Sequence, residues 1–174
     1  MSNLEKIQKG MRVLQILSKI ILVFAVVGTV LASIAAMLVA VGVLNMENQF
    51  LHFLSVSAEM NKGQLAGTLT AVAIALLLGG ILTAFFYRYF TTELKEGTPF
   101  TNAGADGIKR LGIKTVLYAI SMYIIDGICE EIGLTEWHRF DDAGGIVFGI
   151  FLILLAVVVR YGAELEQKEK ARSE

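Results

Sequence analysis

Apolar and polar positions along this chain of 174 residues fall into long blocks rather than short alternations. Residues 20–46, 63–87 and 143–159 contain no Asp, Glu, Lys or Arg, and these runs are 27, 25 and 17 residues long. A bilayer's hydrocarbon core of ~30 Å takes about 20 apolar residues of α-helix at ~1.5 Å each, with ~17–25 as the working range. The first two runs exceed that requirement. The last just meets it, with Arg160 placed to extend its stem along the helix and hold its guanidinium at the headgroups. A further candidate is less clean, because Lys114 stands near its start and only residues 115–125 are uncharged before Asp126. Those eleven residues cannot cross a bilayer unless the helix runs on through Asp126 to about Gly133. A soluble core helix is the alternative for such a run. It would leave three crossings and put the acidic 130s on the side of the basic loop, so four crossings are expected.

Finer patterns predict how the helices begin, end and pack. In residues 3–19, Leu4, Ile7, Met11, Leu14 and Leu17 recur at helical steps while Glu5, Lys6, Lys9 and Arg12 fall elsewhere. That is the pattern of an amphipathic surface helix, or equally of the water-side end of a long first helix. The connection 46–64 holds Phe50, Leu51, Phe53 and Leu54 and is too apolar for a solvated linker. The only proline is Pro99; it disfavours helix at Thr98, so the second helix should stop before that residue, with Thr101 or Asn102 capping the next. After Arg160 the pairs Arg160/Glu164, Glu164/Lys168 and Glu166/Lys170 predict a helical tail. Small residues recur every four positions at Gly28, Ala32, Ala36 and Ala40, at Gly67, Ala71, Ala75 and Gly79, and at Gly145 and Gly149. Lipid offers no hydrophobic gain for helix association, so such faces serve close backbone approach, either within the chain or in a homo-oligomer.

Composition confirms the class, and charge adds an orientation. The mean hydropathy is +0.65, and charged residues make up 18% of the chain, against about a quarter in soluble domains. Thirteen of the fifteen Lys and Arg precede the first crossing, lie between the second and third, or follow the fourth; only Lys62 and Arg139 lie elsewhere. The positive-inside rule then places both termini in the cytoplasm. The expected fold is all-α: one domain, residues 1–174, forming a four-helix transmembrane bundle with an N-terminal amphipathic surface helix and spans at about 20–44, 65–88, 112–133 and 143–160. The expected setting is multi-pass in the cell membrane. A net charge of −1 gives no basis for direct nucleic-acid binding. One cysteine, Cys129, excludes an internal disulfide, and no Cys/His spacing resembles a zinc site. The first apolar run is too long for a signal peptide and reads as a retained span.

The segment Leu94-Lys95-Glu96-Gly97-Thr98-Pro99-Phe100-Thr101-Asn102, followed by Lys109-Arg110-Leu111-Gly112, resembles a family of bacterial four-span membrane proteins labelled domain of unknown function 2975. The tail Tyr161-Gly162-Ala163-Glu164-Leu165 is similar to that family's ending, and departs from it in the charged residues that follow. The resemblance implies no established activity. It implies a cytoplasmic partner of the helix-turn-helix regulator class, since members are often encoded beside one. Gly97, Pro99, Phe100 and Asn102 would form the partner surface, a rigid turn presenting an aromatic at the inner membrane face. A plain hinge between two helices accounts for the same residues.

Carboxylates within a span are costly and usually have a reason. Asp126 and Glu130, four apart, share a helical face with Tyr123 and Ala119 nearby, and Glu131 lies about 100° round. Tyr123, Asp126, Glu130 and Glu131 are thus a candidate external site for a cation or a cationic peptide. The alternative is structural: the glutamates mark the water boundary and Asp126 is held by its neighbours. Catalysis is not expected, because Ser121 lacks a neighbouring histidine in sequence and His52 and His138 form no tight ligand pair. No cofactor or metal is expected. Trp137 reads as an interfacial anchor. The expected function is a non-enzymatic membrane sensor or regulator with a cytoplasmic partner. The alternative is a small transporter or immunity-type protein with an external acidic site.

Overall fold

The computed structural model describes residues 3–42, 62–96, 101–131 and 142–173. Four helices account for nearly all of them: α1 Asn3–Ala40, α2 Lys62–Glu96, α3 Asn102–Glu131 and α4 Asp142–Ser173. All four are long and apolar enough to cross a membrane, α3 being the least apolar. The molecule is an all-α, four-helix apolar bundle that fits a multi-pass membrane protein.

Helix α1 is uninterrupted from Asn3, so residues 3–19 and the first apolar run are one element of about 57 Å. Its buried residues Met11, Ser18, Ala25 and Val39 fall on a seven-residue repeat, with Ala32 half-buried at the same interval. Gln15, Leu22, Thr29 and Ala36 follow four residues after these, giving the seam of a coiled-coil-like contact. The partner is α2, running antiparallel. Ala36 and Val39 pack on Leu65 and Leu69, a Cβ on Gly28 would stand 3.0 Å from Leu76 Cδ1, and one on Gly80 would stand 3.3 Å from Ala25 Cβ. At the far end Gln15 Nε2 donates to Thr91 Oγ1 at 2.9 Å. Gly42 closes α1 in the left-handed region with φ 80°, its amide bonding the Val39 carbonyl.

The second hairpin is tighter. A Cβ on Gly149 would lie 2.6 Å from Val116 Cγ2 and 2.9 Å from the Gly112 carbonyl oxygen, and one on Gly112 would lie 2.7 Å from the Gly149 carbonyl oxygen. Here the backbones of α3 and α4 touch. Ala105, Ile108, Leu111, Leu152, Ala156 and Val159 form the core along the same interface, with Phe85, Phe86 and Tyr89 of α2 laid against it. Among the described residues, α1 pairs with α2, α2 with α3 and α3 with α4; the α1 and α4 backbones do not approach one another. The bundle is thus laid out as a row. Its outward faces are apolar, as at Phe24 of α1, which is 72% exposed.

Hydroxyls within the apolar stretches bond the carbonyl four residues back, at Thr29, Thr68, Thr83 and Thr115. This satisfies polar groups that hydrocarbon could not. The start of α3 is capped by Thr101, whose Oγ1 accepts the Gly104 amide at 2.8 Å. Helix α2 ends at Glu96, as the proline requires. Helix α3 continues unbroken through Lys114 and Asp126 to Glu131. Helix α4 carries its charged tail to Ser173.

Candidate functional site

Of the acidic group on α3, Tyr123 is 59% exposed and Glu131 is exposed, while Asp126 is half-buried with Oδ2 shielded from the surface. Tyr123 and Asp126 thus differ in exposure. The side chain of Glu130 lies outside the described residues, as do His52, Trp137, His138 and Asp141. Among the described residues no three His, Cys, Asp or Glu side chains are placed to hold a metal ion. Gly97, Pro99 and Phe100 also lie outside them. Asn102, the first residue of α3, is exposed.

The most built constellation among the described residues is at the other end of α3, facing α2. A 35-residue helix is about 52 Å long, well beyond a ~30 Å hydrocarbon core, and its charged residues gather in the turns from Arg88 to Glu96, the end suited to lie outside the core. There Tyr89 packs on Gly107, where a Cβ would lie 2.7 Å from the ring. One turn deeper, Lys114 Nζ sits 3.0 Å from the centroid of the Phe85 ring, a cation–π contact that keeps an ammonium at the edge of the apolar zone. Tyr89 meets Phe90 edge-on. Between the helices is a cleft of about 230 Å³, with Arg88, Glu93 and Glu96 of α2 and Arg110 and Lys114 of α3 on its walls.

Glu93 is 3% exposed, and its Oε2 is shielded with no hydrogen-bond partner. Burial, and after it the negative charge of Glu96, hold its carboxyl above the ordinary carboxylate range. Nearby, the Arg160 guanidinium pairs with Asp106 Oδ1, joining α4 to the first turns of α3. Asp106 is the anchor of Arg160 because the antiparallel α3–α4 register brings it alongside.

Sequence reasoning does not single out this cleft. The signal was there in α2: Leu82, Phe86, Tyr89, Glu93 and Glu96 lie on one stripe at alternating four- and three-residue steps, so an apolar, core-facing face continues into two carboxylates. Comparison with family models, with curated proteins and with solved structures finds no match to this chain.

Proposed function

We propose that the protein is a non-enzymatic membrane regulator that binds a cytoplasmic partner protein at the α2–α3 connection and the tail of α4. The observation that supports this is the Arg160–Asp106 pair, which ties the point where α4 turns charged to the first turns of α3. Thirteen further helical residues follow Arg160, about 20 Å of charged helix beside the start of α3. Together with the exposed Asn102 they offer a composite surface to a water-soluble protein. The resemblance of residues 94–102 and 109–112 to the four-span family named above gives the partner's class, a small helix-turn-helix regulator. Placement of that surface in the cytoplasm rests on the bias of Lys and Arg toward this end.

The test is photo-crosslinking in native membranes with the full chain as bait and the crosslinker at Asn102 or Glu169. A soluble DNA-binding protein recovered from both positions, and lost on Phe100→Ala, is the expected result. Recovery from either position of nothing beyond the uncrosslinked control would reject the reading.

A further inference from the structure

The cleft between α2 and α3 has an order to its walls. Its deepest residues are Phe85 and Lys114, the ammonium lying on the ring at the edge of the apolar zone; Leu111, Arg88 and Arg110 follow, and the carboxylates of Glu93 and Glu96 lie farthest out along α2. Arg88 and Arg110 are exposed, whereas Glu93 is almost wholly enclosed with a shielded, unpartnered Oε2. Among the described residues no Lys or Arg pairs with Glu93, and Lys114 is engaged on Phe85. A buried carboxylate oxygen without a donor is an expensive arrangement, and a ligand that brings a donor relieves it.

The charges restrict what that ligand is. A simple anion would be drawn by three cations but would be held beside the Glu93 carboxylate. A simple cation would satisfy Glu93 but would have to lie among Lys114, Arg88 and Arg110. A molecule carrying an anion and a hydrogen-bonding ammonium a few bonds apart answers both. The axial order supplies the rest: an aromatic ring bearing Lys114 deepest, Arg88 and Arg110 next, and a carboxylate farthest out, toward the charged end of a long membrane helix. We propose that the cleft binds the phosphoethanolamine headgroup of an aminophospholipid, the phosphate on Arg88, Arg110 and Lys114 and the ammonium donating to Glu93. Basic pockets between membrane helices commonly take lipid phosphates; the enclosed carboxylate makes this one selective for a zwitterion with N–H donors. The site is independent of the partner surface proposed above, and it holds for either leaflet.

The full-length protein, equilibrated with vesicles of equimolar phosphatidylethanolamine, phosphatidylglycerol and phosphatidylcholine, is extracted and its retained lipids are measured by native mass spectrometry. Retention of phosphatidylethanolamine about tenfold over the other two is expected, the scale of one charge-assisted hydrogen bond. Phosphatidylcholine carries the same charges without N–H donors, so that comparison reads the Glu93 contact directly. Glu93→Gln should bring phosphatidylethanolamine down to the level of phosphatidylcholine, while Arg110→Gln with Lys114→Gln should lower all three. Equal retention of the three lipids by the wild-type chain would overturn the proposal, and this arm needs no variant to fold. A preference for phosphatidylglycerol untouched by Glu93→Gln would also overturn it. So would soluble phosphoethanolamine that fully displaces the lipid at equal concentration, since the ligand would then come from water.

Discussion

Glu93 continues a stripe that begins with Leu82, Phe86 and Tyr89, and packing of that stripe against α3 draws its carboxyl out of water. Its raised affinity for a proton has a direct consequence for stability. The folded chain keeps a proton on Glu93 at pH values where the unfolded chain has released it, so folding takes up a proton. Stability from this group is therefore fully present below the ordinary Glu value of about 4.3 and declines as pH rises through the raised folded value. In lipid-free detergent the thermal midpoint of the wild-type chain should fall relative to Glu93→Gln between acidic and neutral pH. Parallel midpoints across that range would show that Glu93 titrates as an exposed glutamate does. The sequence makes Asp126 conspicuous because it interrupts an apolar run, whereas Glu93 sits in a charged stretch where each residue looks solvated. Facing direction, set by tertiary contact, separates the two, and composition carries no such information.

At the level of elements, the hydropathy blocks and the lone proline are enough to expect the long helices and the end of α2, and they leave the cap of α3 between Thr101 and Asn102, of which Thr101 is used. Helix α3 is the hard case, since its uncharged run is too short to identify a crossing. It persists because Lys114 is accommodated over Phe85 and Asp126 is partly drawn into the interior, both of which depend on neighbours in space. The continuity of α1 is likewise undecided by periodicity, which is the same for a surface helix and for the end of a long one. The small residues at Gly145 and Gly149 are legible as a packing face, and the structure puts them against Ala119 and Val116. Gly149→Ala should cost ~1–3 kcal/mol, because its Cβ would meet Val116 and the Gly112 carbonyl and the backbone has no rotamer with which to yield. Gly162→Ala, where nothing lies within 4 Å, should be neutral or stabilising by up to ~1 kcal/mol through helix propensity. Denaturation of the two variants side by side checks the contrast, and equal effects would mean that α3 and α4 do not cross at these glycines.

For the whole molecule, the distribution of Lys and Arg predicts an orientation that backbone geometry does not determine. With Cys129 replaced by Ala, single cysteines at Glu59 and Asp141 should react with a membrane-impermeant thiol reagent in intact cells, and those at Glu96 and Glu169 should react only after lysis. Labelling of Glu96 from outside would invert the assigned topology. The row arrangement also fixes which surfaces remain available. The outer faces of α1 and α4 meet no other helix of the described chain, so they are left to lipid or to a further protein.

That each helix packs on its immediate neighbour in sequence bears on how the protein is made. Among the described residues the backbone contacts of α1 are with α2 and those of α4 with α3, so each hairpin can complete its interface as soon as its second helix leaves the ribosome. No early segment waits for a distant one, and little apolar surface is stranded between insertion of the first hairpin and arrival of the second. The α2–α3 contact joins the two hairpins and needs only that α3 has been made. Such sequence-local contacts suit insertion as two hairpins, and the cleft that encloses Glu93 exists only once α3 lies against α2.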